Sequence, residues 1–277
     1  MPIAQSCEFR FRERDFAAIA KMVRADAGIV LGQQKRNLVY GRLSKRLRAI
    51  GLDDFGDYCD LVQSSAGLQE RRHMVNAITT NLTEFFREAH HFEHLAKNLL
   101  PTTLSRAEKK RLRLWSAGCS SGEEPYSMAM TVRDLIGAAP GWDVKILATD
   151  IDTEMITRAK AGRYAPEKIS AVPLEKRQRY THTAEDGRVE MNDDIKSMIV
   201  FNPLNLFDYW PVRGPFQAIF CRNVVIYFSH ADQRVLFDRF ANVLAPGGWL
   251  FIGHSETLHS VSDRFRHIGK TIYQKVV

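Results

Sequence analysis

Three apolar runs in this sequence end abruptly in residues able to hold a ligand. Phe216-Gln217-Ala218-Ile219-Phe220-Cys221 runs into Arg222 and Asn223, and Val144-Lys145-Ile146-Leu147-Ala148-Thr149 runs into Asp150. Leu112-Arg113-Leu114-Trp115-Ser116-Ala117 runs into Gly118, with Gly122, Glu123, Glu124 and Pro125 just beyond. Such runs read as buried parallel strands, and the carboxyl ends of parallel strands are where open α/β sheets bind ligands. Asp150 at a strand end is placed to accept hydrogen bonds from both hydroxyls of a ribose. Capping of the following helix is its alternative role, and the favoured one for Asp152. Gly118 and Gly122 let a strand-to-helix turn come close to a ligand and open it to free helix N–H groups. Their G-x-x-x-G spacing departs from the dinucleotide pattern G-x-G-x-x-G. Two carboxylates in the first helical turn suit a cationic ligand better than a pyrophosphate, though they also stabilise the helix end with no ligand at all. A nucleoside bearing a positive centre, S-adenosylmethionine, is the ligand these features favour, and methyl transfer the chemistry. Asn205, closing another short apolar segment, is a candidate for reading an adenine edge; taken alone it is a turn residue.

Other chemically equipped residues carry less. Thr79-Thr80-Asn81-Leu82-Thr83-Glu84-Phe85-Phe86-Arg87-Glu88 is dense in hydrogen-bonding groups and aromatics, and by itself reads as a helix end with a linker. His90, His91 and His94 have neither H-E-x-x-H nor carboxylate spacing, so packing or solvent roles are expected and no metal. Cys221 sits at a strand end without a visible activating histidine, which favours a structural thiol. Cys7, Cys59, Cys119 and Cys221 form no C-x-x-C pair, so neither a disulfide framework nor a thiolate zinc site is expected.

Helices and strands that would carry these residues fall in two regions. Residues 14 to 80 read as helices with short breaks. In residues 34 to 50, Val39, Leu43, Leu47 and Ile50 share one helical face, while Lys35, Arg42, Lys45, Arg46 and Arg48 make the other a basic ridge. Gly51 is a candidate stop, and Asp53 or Asp54 a start for a helix bearing Tyr58, Leu61 and Val62. From Leu112 strands alternate with helices, the pattern of a parallel sheet. A domain boundary is therefore expected near residues 80 to 100. Gly187–Met191 and Met198–Phe201 read as a small antiparallel insertion. Gly247–Gly253 and Thr271–Val276, with little chain between them, should pair antiparallel.

The 277 residues, 45% hydrophobic, suffice for one large domain or two. No run approaches the roughly 20 apolar residues of a membrane span, and no signal-peptide core stands at the N-terminus, so a cytoplasmic location is expected. The formal net charge of +7 favours an acidic partner without choosing among nucleic acid, anionic membrane and protein.

These segments together resemble the CheR family of bacterial chemotaxis receptor glutamate O-methyltransferases. The likeness runs through Thr79–Arg87, Trp115-Ser116-Ala117 with Gly122-Glu123-Glu124-Pro125-Tyr126-Ser127, Thr149-Asp150-Ile151-Asp152, Phe220-Cys221-Arg222-Asn223 with Ile226-Tyr227-Phe228, and Gly253-His254-Ser255-Glu256. The resemblance implies a Rossmann-like α/β methyltransferase sheet over 86–277, with a small antiparallel β insertion around 180–202. It also implies an all-helical receptor-docking domain over 1–85. Carried over by position, the contacts to S-adenosylmethionine, or to its product S-adenosylhomocysteine, fall on Asn81, Thr83, Arg87, Glu124, Asp150, Asn205, Leu206, Arg222 and Asn223. Arg87 and Tyr227 would stand beside the transferred methyl group. Arg42, Lys45 and Arg46 would face the acidic, methylatable helices of receptor cytoplasmic domains, with neither nucleic acid nor inserted membrane as partner. Family members that tether to a receptor-tail peptide carry a longer, glycine-richer loop than Arg179–Arg188, which argues against such a tether here.

Two other functions fit parts of the sequence. A nucleic-acid methyltransferase would use the basic charge, but Asn202-Pro203-Leu204-Asn205 does not match D/N-P-P-[YF] and no Pro-Cys nucleophile is present. A non-catalytic module that binds S-adenosylmethionine would be separated by single-turnover methyl transfer.

Overall fold

The structure, a computed structural model, describes residues 8–106, 110–137 and 141–276, so Cys7 lies outside the described residues. The chain forms two compact units. One is the chain as far as Thr80 together with Tyr227–Ser229; the other is Asn81–Ile226 with the chain from His230 onward.

Four helices build the first unit: α1 (Glu13–Ala27), α2 (Arg36–Ile50), α3 (Phe55–Gln63) and α4 (Leu68–Ile78). Val39, Leu43 and Leu47 recur every fourth residue, so they line one face of α2, and all three are fully buried. Ile19, Val23, Phe55, Tyr58, Val62 and Met74 complete that core. Gly51 ends α2 in the left-handed region, at φ 71°, where only glycine is unstrained. Of the two candidate starts for α3, Asp54 is the cap: its side chain accepts the Gly56 N–H at 2.6 Å.

The second unit begins with Asn81–Ala89 and the helical turns α5 (His90–His94) and α6 (Leu100–Arg106). A seven-stranded sheet follows: β1 (Arg111–Ala117), β2 (Asp143–Asp150), β6 (Ile199–Pro203), β7 (Phe216–Cys221), β8 (Leu244–Ile252), β9 (Phe265–Gly269) and β10 (Ile272–Lys275). Its order is β6-β2-β1-β7-β8-β10-β9. The first five strands in this order run parallel, while β10 is antiparallel to both β8 and β9. Helices α7 (Glu123–Ile136), α8 (Thr153–Ala161) and α12 (His230–Val243) follow β1, β2 and β7. From β1 the chain builds outward through β2 to β6, then returns to lay β7 on the other side of β1. The β1/β7 boundary is therefore the topological switch point, where α/β sheets open a ligand crevice. Ala117 pairs with Thr149 and Asp150 with Pro203, so the carboxyl ends of β1, β2 and β6 come level.

Between β2 and β6 lies the expected insertion, a three-stranded antiparallel sheet β3-β5-β4. It comprises β3 (Arg163–Tyr164), β4 (Thr181–Thr183) and β5 (Val189–Met191), accompanied by α9 (Pro166–Ile169), α10 (Leu174–Tyr180) and α11 (Asp193–Lys196). Met198–Phe201 does not belong to it. Ile199–Pro203 is the edge strand of the main sheet, with Ile199 level with Ile146 and Phe201 with Ala148 on β2. Buried Ile199 and Phe201 flank exposed Val200, as expected of a strand covered on one face. The antiparallel pairing of the last segment with β8 is as expected, but β9 is an additional strand beyond it.

Trp115, at the centre of β1, is fully buried among Trp210, Phe216 and Phe240, and its indole N–H donates to Thr149 Oγ1 at 2.9 Å. The Phe220 and Phe251 rings stack at 4.2 Å between β7 and β8. These contacts hold the strands whose ends carry the polar residues.

Candidate active site at the carboxyl edge of the sheet

The turn leaving β1 is shaped by three left-handed residues, Gly118 (φ 89°), Ser120 (φ 48°) and Gly122 (φ 99°). Its first amides, those of Gly118 and Cys119, donate to the Thr149 carbonyl at 2.8 and 2.9 Å. The Ser120 amide donates to Asp150 Oδ2 at 2.8 Å, and the Asp152 amide to Oδ1 at 2.9 Å. Asp150 is thus seated by main chain on both oxygens. Burial drives its pKa up to about 6, against the opposing pull of those amides. Asp152 plays the capping role, accepting the Glu154 and Met155 amides at the start of α8 at 2.9 and 3.3 Å. It also accepts Asn81 Nδ2 at 2.7 Å, while the Asn81 carbonyl takes the Ser120 hydroxyl at 3.0 Å. Asn81 is fastened to the turn, and half-buried Thr83 follows two residues on.

Arg222 is the charged centre of the β1/β7 edge, its side chain 2% exposed. It donates to Glu124 Oε2 at 3.1 Å, lies 3.6 Å from Glu88 Oε2, and donates to the Arg87 carbonyl. Glu124 also accepts the Ser116 hydroxyl at 2.7 Å. Burial raises the Glu124 pKa, with Arg222 and Ser116 working against it. The two first-turn acids therefore differ from the sequence expectation in what satisfies them. Glu124 is held by Arg222 and Ser116, and Glu123 accepts the Ser121 hydroxyl at 2.7 Å. The Arg87 guanidinium folds back to the Leu82 carbonyl at 3.0 Å. Asn223 follows Arg222 with φ 59°, its amide donating to Glu256 Oε2 at 2.9 Å.

Beyond β6, Asn205 builds its own turn, accepting the Phe207 amide at 3.0 Å and donating to Asp208 at 3.2 Å. Buried Leu206 presents its carbonyl to Trp210 Nε1 at 3.1 Å and to Arg239 at 2.6 Å. Tyr227 groups with the helical unit, where its carbonyl accepts the Val30 amide at 2.9 Å.

The docking candidates on α2 are not equivalent. Arg42 donates to the Ala77, Ile78 and Thr79 carbonyls at 3.3, 2.6 and 2.7 Å, and to the Thr80 hydroxyl at 3.1 Å. It serves as a C-terminal cap for α4, whose last carbonyls have no helical partner. Arg46 forms a two-pronged pair with buried Glu70 at 2.9 and 2.6 Å. Only Lys45 of the three is exposed.

Histidines 90, 91 and 94 pack. His91 is fully buried, its Nε2 3.0 Å from Thr271 Oγ1, and burial with Arg222 nearby lowers its pKa to about 2. His94 lies against Trp249 at 4.3 Å. Glu88, His90 and His91 bring three ligand-type atoms within 4.8 Å of one another, but the Arg222 guanidinium beside Glu88 opposes a cation there. Cys221 is fully buried and burial pushes its thiol pKa up, the opposite of activation. Residues whose part sequence reasoning missed are Ser116, Glu88 and Glu256. All three stand inside segments quoted above, and that is their only local signal.

A parallel sheet with an antiparallel final hairpin, a glycine turn after its first strand and a ribose-type carboxylate after its second is the architecture of S-adenosylmethionine-dependent methyltransferases. The donor set fits that ligand in offering a buried carboxylate, Asp150, at the end of β2, but the glycines do not open the turn as expected: a Cβ at Gly118 would strike Val224, and one at Gly122 would strike Ala159 and Tyr164. Residues 81–274 match the family model described as "CheR methyltransferase, SAM binding domain", and residues 14–79 match "CheR methyltransferase, all-alpha domain". The chain is 46% identical over 258 residues to the "Probable chemotaxis protein methyltransferase" of Rhizobium etli, covering 91% of this chain and 96% of that one. It is 43% identical over 263 residues to the "Chemotaxis protein methyltransferase" of Escherichia coli, covering 93% and 89%. This chain belongs to the CheR methyltransferase family. Among the described residues no helix is long and apolar enough to cross a membrane.

Proposed function

We propose that this protein methylates glutamate side chains on the cytoplasmic helices of chemotaxis receptors, using S-adenosylmethionine and leaving S-adenosylhomocysteine and a glutamate methyl ester. The likeness to chemotaxis protein methyltransferases across both the helical and the donor-binding regions carries this reading. Bound S-adenosylmethionine supplies a methyl group activated by a sulfonium. A glutamate with its ordinary pKa of about 4.3 is already a carboxylate at neutral pH, so no general base is needed. The residues of this chain have instead to align, desolvate and orient. Asp150 takes the ribose hydroxyls; Asn81, Thr83, Glu124, Arg222 and Asn223 line the remainder of the donor site, with Asn205 and Leu206 toward the adenine. Arg87 orients the acceptor carboxylate without clamping it, because a tight pair would stabilise the ground state. Its guanidinium is turned onto the Leu82 carbonyl, so it is not locked in a carboxylate pair. Tyr227 assists at the methyl group.

Receptor helices would be met by the basic face of α2, where Lys45 is exposed and Arg42 and Arg46 add charge from fixed positions. A receptor-tail tether is not part of this reading. The β4–β5 connection is a short turn closed by Ala184 N–H to the Arg188 carbonyl at 2.8 Å, with Gly187 its one glycine. Incubation with labelled donor and receptor cytoplasmic domains should yield label that mild alkali releases. Label that resists alkali, or that follows nucleic acid, would overturn the proposal.

A further inference from the structure

We infer that Glu256 is a positioning residue of the donor site: its buried carboxylate sets the backbone of the loop that presents Arg222 and Asn223. The inference rests on the reading of Arg222 and Asn223 as donor contacts. Glu256 is 6% exposed and gathers main-chain N–H groups from two loops. Oε2 accepts the Asn223 amide at 2.9 Å and the Gly253 amide at 2.5 Å; Oε1 accepts Val225 at 2.9 Å and Ile226 at 3.3 Å. One carboxylate thereby ties the loop after β7 to the turn after β8.

The loop needs such a tie. Asn223 sits at φ 59°, in the left-handed region that most residues with a side chain avoid, and the Glu256 carboxylate holds its amide there. Gly253 lies so close that a Cβ on it would fall 2.4 Å from Asn223 Nδ2 and 2.8 Å from its backbone nitrogen. The same turn also reaches the other side of the site. The His254 amide and Nδ1 lie 3.2 and 3.1 Å from Glu88 Oε1, and Glu88 faces Arg222. Gly253-His254-Ser255-Glu256 therefore supports Asn223 directly and Arg222 through Glu88. Glutamine at 256 would turn an amide NH2 toward two main-chain donors and forfeit half of the cradle.

A residue needed only for folding would lower the amount of active enzyme and leave donor affinity unchanged; a positioning residue changes affinity in folded protein. Calorimetric titration of S-adenosylhomocysteine into the full chain, with donor KM and kcat from steady state, separates them. Glu256→Gln, checked for a cooperative unliganded melt, should raise Kd and donor KM at least tenfold. Unchanged Kd and KM with only kcat reduced would overturn the inference. Asn223→Ala is the control: if it binds like wild type, the donor-site reading fails and this inference with it. If it weakens binding while Glu256→Gln does not, only the inference fails. Should Glu256→Gln not fold, Gly253→Ala is expected to raise Kd by displacing Asn223, and wild-type affinity in it would count against the inference. In the wild-type protein, hydrogen exchange should find the Asn223 and Val225 amides protected; rapid exchange at both would also overturn it.

Discussion

Helix α2 and the carboxyl edge of the main sheet both concentrate charged side chains. On α2 the arginines bond within their own unit: Arg42 closes the end of α4, Arg46 pairs with Glu70 and exposed Arg48 pairs with Glu8, which leaves Lys45 exposed without an ion-pair partner among the described residues. At the sheet edge the charges are buried and set against one another, Arg222 against Glu124 and Glu88, and Asp150 against amides. A charge on a helix face, counted in sequence, overstates what is offered to a partner, because arginine readily spends its donors on carbonyls and carboxylates nearby. A charge at a strand end is counted more truly, because the sheet dictates where it must stand.

The contrast implies a graded set of outcomes. Arg222→Met should be the most severe, since it leaves buried Glu124 and partly buried Glu88 without their cation. A loss of about 3–5 kcal/mol is expected in urea unfolding, together with loss of donor binding. Intact stability would mean that the carboxylates do not depend on Arg222.

Asp150→Asn should weaken S-adenosylhomocysteine binding by about 1–3 kcal/mol in calorimetry. The pH dependence gives a second reading of the same residue. With its pKa raised to about 6, free Asp150 takes up a proton as pH falls through that value, whereas ribose hydroxyls require the carboxylate. Affinity should be full above pH 6 and decline below it, and Asp150→Asn should flatten that limb. For stability the sign is reversed: the raised pKa favours the fold below the ordinary carboxylate range, and this contribution is lost as pH rises through 6. A wild-type affinity unchanged from pH 7 to 5 would remove the ribose role.

On α2, Arg46→Ala should cost about 1–2 kcal/mol, less than a fully buried pair because its side chain is 27% exposed. Lys45→Ala should stay within about 0.5 kcal/mol of wild type. Lys45→Glu should nonetheless slow receptor methylation, with donor affinity untouched and the defect shrinking as salt screens exposed charge over about 10 Å at 0.1 M. A salt-independent defect would reassign the residue. The smallest effect is expected from deleting a receptor's C-terminal tail, which should barely alter the methylation rate; tail-peptide binding at about −8 kcal/mol, a micromolar Kd, would contradict this.

How far the sequence could be read follows from the range of the interactions. Strands β1, β2 and β7 and their terminal residues were legible because an apolar run and its polar stop are contiguous. The α2 core face was legible for the same local reason, and the α3 cap to within one residue, Asp53 or Asp54. Ile199-Val200-Phe201 was not assigned to the main sheet, because a run this short does not reveal its pairing partner. β9 escaped because Arg266, His267 and Ile268 are all exposed and show no alternation. The partners of Arg42 and Arg46, and all those of Glu256 but Gly253, lie on other elements, 24 or more residues away, out of reach of any periodicity. For Asn81, Thr83, Arg87, Leu206 and Tyr227 the family resemblance, rather than their local chemistry, drew attention to them.

The buried group of Glu88, Arg222 and Glu124 limits which neighbouring sequences this protein can reach. One guanidinium serves two carboxylates, so replacing Arg222 alone strands both, whereas replacing either glutamate alone leaves an arginine–carboxylate pair. Loss of Arg222 becomes tolerable to the fold only when both carboxylates go with it, as Arg222→Met with Glu124→Gln and Glu88→Gln, and double-mutant cycles between Arg222 and each glutamate should show strong coupling. Single-step drift at Arg222 is closed by electrostatics before catalysis is considered, so the arginine should change only after its carboxylates have.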